Sequence, residues 1–139
     1  MIIRNFKPAD YPQVVSLWKE TGIYTSERGD TPELILRCND QGGKFLVMEE
    51  PSESRIVGTS WLTWDGRRVM LHHFAILPSV QGQGYGRQLA LESLTFAREK
   101  KCPMKLEVHR DNLPAVQLYR SLGFAVFEDY DVYMIHHDT

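Results

Sequence analysis

The chain has 139 residues, with an apolar fraction of 42% and a charged fraction of 24%, which suits a single domain over 1–139 with a real core. A formal net charge of −2 sets up no global field for nucleic acid, and no apolar run approaches the roughly 20 residues that span a bilayer, so neither partner is expected. Cys38 and Cys102 are too few for a disulfide framework and lack metal-type spacing; with Ile2 and Ile3 ahead of Arg4 and Lys7, unlike a secretory leader, the expectation is a reducing, cytoplasmic setting.

Residues 1–5 read as a short strand. Phe6 to Ala9 turns the chain, and Asp10 is placed to cap a helix to about Thr21, with Val14, Val15, Leu17 and Trp18 on one broad apolar face. Gly22 ends it, and 23–30 is polar and turn-like. Thr31 as N-cap with Pro32 in the first helical position starts a second helix, carrying Leu34, Ile35 and Cys38 and stopping before Gly42. Strands follow at 44–49 and 56–64, rich in β-branched and aromatic residues. Asp65-Gly66 is a hairpin signal, and the returning strand runs over 68–77. These strands are expected to pair as an antiparallel meander.

Next, Gly82, Gly84 and Gly86 fall at every second place, and a helical pattern over 85–100 puts Tyr85, Leu89, Ala90, Leu94, Phe96 and Ala97 on one face. Pro103 breaks that helix, and 104–108 reads as a strand. A loop with Asp111 and Asn112 leads to a helix over 114–122, closed by Gly123. Two last strands are expected at about 125–127 and 132–135. The strands at 68–77 and 104–108, joined by the long helix, form a βαβ unit and so run parallel. The expected fold is α/β (α+β): a mixed, mostly antiparallel sheet with one parallel crossover and helices on both faces.

A strand, a glycine-rich turn and a helix start expose successive backbone N–H groups beside the positive end of the helix dipole, an arrangement suited to phosphate. Gly86-Arg87-Gln88 lacks the Lys-Ser/Thr of a nucleotide P-loop. A dinucleotide fingerprint needs a third glycine where Arg87 or Leu89 stands. An acyl-CoA pyrophosphate loop remains. The run Gln81-Gly82-Gln83-Gly84-Tyr85-Gly86, preceded by Ala75-Ile76-Leu77-Pro78, resembles the Gln/Arg-x-x-Gly-x-Gly/Ala motif of the GNAT acetyltransferase superfamily. A second block, 105–124, is similar to that family's late strand, its Asn-x-x-Ala turn (Asn112 to Ala115) and its Tyr-x-x-x-Gly-Phe helix end (Tyr119 to Phe124). The Leu106-Glu107-Val108 and Leu118-Tyr119 pieces are particularly similar to the ribosomal-protein alanine N-acetyltransferases.

The resemblance implies acetyl-CoA as co-substrate and a primary amine as acceptor. It implies that the backbone of Phe74, Ala75 and Ile76 meets the pantetheine arm and acetyl carbonyl. Gly82, Gln83, Gly84, Tyr85, Gly86 and Arg87 then cradle the pyrophosphate, and Asn112 binds the cofactor arm. Tyr119 matches the family tyrosine that serves the leaving thiolate as acid. Glu107 matches the glutamate that acts as base, and as a carboxylate within a covered strand it wants a reason; a structural hydrogen-bond acceptor is the plainer alternative.

His72 and His73, as strand neighbours, point to opposite faces and cannot jointly grip a metal without a bulge; half-buried, satisfied histidines are expected, one of them open to lining the groove. His109 is expected to be exposed, and His136-His137-Asp138 reads as a polar tail. No metal is expected. Cys38, Cys102, Trp18, Trp61 and Trp64 read as structural. The segment 21–30 falls where the family places its acceptor loop, with Tyr24, Glu27, Arg28 and Asp30 as candidate readers or as a plain solvated loop. Three functions compete: an N-acetyltransferase for a small-molecule amine; a protein N-terminal or lysine acetyltransferase, towards which Leu106-Glu107-Val108 leans; and a non-catalytic acyl-CoA-binding module, against which both Glu107 and Tyr119 argue. A homodimer is the base-rate expectation.

Overall fold

The computed structural model describes residues 1–24 and 29–137. Its contacts divide the chain into two units, Met1–Glu107 and Val108–Thr139. In the first unit five strands form one sheet in the order β1 (Ile2–Asn5), β2 (Lys44–Glu50), β3 (Arg55–Trp64), β4 (Val69–Ile76), β5 (Met104–Leu106). The first three pairings are antiparallel, and β4–β5 is parallel. The meander follows from tight turns: at 65–68 the Asp65 carboxylate accepts the amides of Arg67 and Arg68 at 2.8 and 2.7 Å, and Gly66 takes φ +90°.

Helices α1 (Tyr11–Glu20) and α3 (Tyr85–Lys100) cover opposite faces. The Trp18 indole of α1 donates to Thr59 Oγ1 at 3.0 Å, whereas Ser93 of α3 meets Ser60 Oγ at 2.7 Å. Thr59 and Ser60 are neighbours in β3, so their side chains leave opposite sides of the sheet. The α1 side is aromatic: Phe6, Trp18, Phe45 and Trp61 pack with centroids 4.9 to 6.5 Å apart. Helix α2 (Pro32–Asp40) starts as expected, with Thr31 Oγ1 accepting the Leu34 amide, and buries Ile35.

Several expectations are corrected. Asp10 does not cap α1 with its side chain. Its carboxylate instead accepts the Lys7 amide and a two-bond grip from Arg4, both at 2.9 Å. Burial opposes its charge, yet the hydrogen bonds from Arg4 and the Lys7 amide hold the carboxyl below its ordinary range. Ser93, passed over in the apolar pattern of α3, is fully buried. Its hydroxyl donates to Leu89 O within the helix, so the Ser60 hydroxyl must be the donor between the two serines. Strand β5 stops at Leu106 rather than 108.

In the second unit, helix α4 (Leu113–Ser121) forms one residue earlier than read from the sequence. No strand forms over 125–127 or 132–135 among the described residues. Val126, Phe127, Val132, Tyr133, Met134 and Ile135 are 63 to 77% exposed, Tyr133 rising to 92%. Their β-propensity is real, but a ladder needs a partner edge as well as suitable side chains, and none pairs with them here. Among the described residues no helix is long and apolar enough to cross a membrane.

Candidate active site

The site is built where β4 outruns its neighbour. Parallel pairing with β5 ends at Leu71↔Leu106, while on the other edge β4 stays paired with β3 to Gly58↔Ile76. The Leu77 amide extends that zipper to Val57 O at 2.7 Å. Five residues of β4, 72–76, therefore pass beyond β5. Between Trp61↔His72 and Thr59↔Ala75, only Ser60 stands opposite both His73 and Phe74. This is a β-bulge, which bends a strand and re-aims its side chains. His73 carries it at φ +46°, a region that costs a non-glycine residue about 1–3 kcal/mol. Thr59 Oγ1 donates to the His73 carbonyl at 2.8 Å and holds the bend.

The bulge overturns the expected alternation of the two histidines. Both rings lie near Trp61, His72 at 6.1 Å and His73 at 5.5 Å between centroids, and His73 also sits 4.6 Å from Trp18. His72 Nε2 is 2.8 Å from Thr63 Oγ1. Burial, aided by the neighbouring His73, pushes His72 below the ordinary histidine range, disfavouring its charged form. Among the described residues no three potential ligands are grouped to hold a metal ion.

Beyond β4, a single turn over Pro78–Val80 leads into the glycine loop. Gln81 Nε2 donates to Ile76 O at 2.8 Å, tying the loop to the strand end. Gly82 and Gly84 adopt φ +81° and +86°, and a Cβ at either would meet nothing within 4 Å. These glycines thus serve conformation, not close packing. The amides of Gly82, Gln83, Gly84, Tyr85 and Gly86 donate to no carbonyl among the described residues. They form a row of open donors leading into the first turn of α3, where Arg87 is exposed. A diphosphate fits such a row, since its oxygens only accept.

Glu107 follows directly on Leu106 and is exposed, rather than held within a strand as the sequence suggested. Asn112 and Tyr119 belong to the second unit. Asn112 is the N-cap of α4, its Oδ1 accepting the Ala115 amide at 3.4 Å, and the residue is exposed. Tyr119 is 7% exposed, and its ring meets Phe124 edge-on at 5.7 Å. Burial pushes its phenol up to about 12. His109 is exposed, as expected. Glu27 and Arg28, candidate acceptor readers, lie outside the described residues, as does Asp138 of the terminal tail.

With this geometry in place, comparison with known proteins is decisive at the level of family. The family model described as "Acetyltransferase (GNAT) family" matches residues 11–124. The chain belongs to the GNAT acetyltransferase family. Solved structures agree in fold. An acetyltransferase of Trypanosoma brucei superposes with a TM-score of 0.75 at 20% identity, covering 99% of each chain. The PaiA N-acetyltransferase of Thermoplasma acidophilum, in complex with coenzyme A, reaches 0.77 at 22%, covering 94% of this chain and 92% of its own. A ribosomal-protein-alanine N-acetyltransferase from Brucella melitensis reaches 0.73 at 22%, covering 88% and 83%.

For this GNAT chain, acetyl transfer is therefore the general activity. Two features of its site were not read from the sequence. One is Gln81 as a tie between loop and strand; its place in the motif was the available signal. The other is the contact of Asp30 with His73, Nε2 to Oδ2 at 3.0 Å. No local pattern announces a pair separated by 43 positions, and alternation argued against His73 facing the α1 side at all. A surface depression of about 330 Å³ beside Trp64, Arg67, Arg68 and Lys105 lies at the start of β4, the far end of that strand from the glycine loop.

Proposed function

We propose that this protein transfers the acetyl group of acetyl-CoA directly to the primary amine of a small molecule. One observation carries the reading: the row of open amides over 82–86, directly after a strand that has outrun its parallel neighbour. In this reading the amides and the α3 dipole hold the pyrophosphate together with Arg87. The backbone of Phe74, Ala75 and Ile76 takes the pantetheine arm along the edge of β4 that β5 does not cover. Asn112 supplies a further polar contact to that arm. Main-chain N–H groups at the end of β4 stabilise the oxyanion as the amine adds to the thioester carbonyl.

Glu107, exposed beside this edge, attracts the cationic amine and passes its first proton to water. Tyr119 serves the departing sulfur. A phenol held at about 12 remains O–H at neutral pH. Full proton transfer to a thiolate of ordinary pKa near 8.5 is uphill by roughly 5 kcal/mol. Tyr119 therefore acts chiefly by a strong hydrogen bond to the developing thiolate, which takes its proton from solvent on release.

A second reading, acetylation of a protein N-terminus or lysine, is favoured by Leu106-Glu107-Val108, which resembles the alanine N-acetyltransferase motif. The two share the donor site and differ in the acceptor, which sits on freely varying loops. Acetyl-CoA is expected to raise the melting temperature while NADH and ATP at equal concentration do not. Thiol release with polyamines, amino acids, antibiotics and short peptides then ranks the acceptors. No thermal response to acetyl-CoA would end the proposal.

A further inference from the structure

Addition of an amine to a thioester requires two proton departures from nitrogen. The first turns the ammonium into the nucleophile; the second leaves the positively charged nitrogen of the tetrahedral adduct. Exposed Glu107 serves the first. The second occurs against the end of β4, where the reacting carbonyl would be held, and there the one basic side chain on the bulge is His73.

His73 is built in, not draped over a surface. It occupies a left-handed backbone position, its carbonyl is held by Thr59, which is itself held by the Trp18 indole, and its ring lies against Trp18 and Trp61. Its side chain is 11% exposed and that of Asp30 is 15% exposed. Asp30 is held in turn by the Tyr11 hydroxyl, which donates to the Asp30 carbonyl at 2.6 Å. The 3.0 Å approach of Nε2 to Asp30 Oδ2 is bent away from a straight hydrogen bond, but it places the carboxylate beside one ring nitrogen only. That favours the tautomer with the proton on Nε2 and the lone pair on Nδ1. Nδ1 makes no hydrogen bond among the described residues.

We propose that His73 is a catalytic residue that accepts the second proton, with Asp30 as its positioning residue. The inference rests on the transferase reading above. The amine lone pair forms the C–N bond as the carbonyl π pair moves to oxygen. Nδ1 takes a proton from the adduct nitrogen, and Asp30 balances the imidazolium. The oxygen pair then re-forms C=O as the C–S bond breaks, and the thiolate leaves with the bonding pair. His73 returns its proton to solvent, so that one ammonium and one thioester give one amide, one thiol and one net proton.

The position itself offers a clean test, because glycine adopts φ +46° without strain. With spermine, lysine and an alanine-led tripeptide as acceptors, H73G is expected to lose at least about 100-fold in turnover, the lower range for a positioned base. It should keep the acetyl-CoA thermal shift, and added imidazole should restore a concentration-dependent part of the rate. D30N should lower kcat at unchanged KM for acetyl-CoA, and D30E should recover it. If H73G lacks a cooperative melt, H73N, which also tolerates positive φ, carries the same kinetic comparison. Wild-type turnover in the His73 variant, or a loss that imidazole leaves untouched, would overturn the assignment while acetyl transfer itself stood. Absence of thiol release by the unmodified protein with every acceptor would overturn the transferase reading and this inference with it.

Discussion

Replacing Gly84 by alanine separates the conformational demand of the glycine loop from its binding role. Gly84 sits at φ +86° and ψ 3° at the N-cap of α3, and a Cβ there meets no atom within 4 Å. The folded protein should therefore feel only the left-handed backbone penalty, about 1–2 kcal/mol for an L-residue. For a chain of this length that lowers Tm by about 4 °C per kcal/mol. Gly66 provides a matched control: φ +90°, nothing within 4 Å of its Cβ, and a place in the hairpin at the opposite end of β4. G66A and G84A should thus lose similar stability in differential scanning fluorimetry without ligand. They should part on adding acetyl-CoA. At 100 times Kd, a ligand stabilises by about 2.7 kcal/mol. A methyl group intruding where the diphosphate sits, weakening binding tenfold, would cut this to about 1.4 kcal/mol at the same concentration. G66A should keep the full shift. An undiminished shift in G84A would show that the loop does not approach the ligand, and would refute the site. Unequal losses without ligand would refute the matched-strain argument.

Y119F and E107Q should retain the acetyl-CoA shift and each lose turnover roughly 10²-fold, the lower end for a positioned proton-transfer group; steady-state thiol release checks this, and wild-type rates would remove the assigned role. His72 titrates lower in the folded protein than in the unfolded chain, because burial first and His73 second disfavour its charge. The unfolded chain thus binds more protons below pH 6.5, and stability should fall as pH drops below that value, by at most about 1.4 kcal/mol per unit. Urea melts of H72Q between pH 7.5 and 5.5 should show a shallower fall than wild type; an identical slope would refute the attribution. S93A should cost about 1–3 kcal/mol by stranding the buried Ser60 hydroxyl, and S60A/S93A should cost less than the sum of the single variants; strict additivity would mean that the two hydroxyls are not coupled. G58A should lose about 1–3 kcal/mol by overpacking, since its Cβ would stand 2.9 Å from Ile76 Cδ1 and 3.2 Å from Met48 Cβ; a neutral melt would show that this contact yields freely.

What the chain declares in its own order is whatever depends on near neighbours. Thr31-Pro32 announced the start of α2, Asp65-Gly66 the hairpin, and the alternate glycines the turn into α3, because capping, turn formation and positive φ involve residues within about four positions. The acetyltransferase family was legible for the same reason: its motifs are runs such as 81–86 and 112–124. Tertiary structure alone decided matters that rest on residues far apart. Only pairing with β3 reveals that β4 carries a bulge at His73, which swings both histidines towards Trp61 and brings Asp30 within 3.0 Å of one. Only the end of pairing at Leu71↔Leu106 leaves Glu107 exposed, where period-two alternation had set it in a covered strand. Apolar β-formers over 125–135 suggested two strands that the fold does not make, because side-chain preference is a property of a residue and a ladder is a property of two edges.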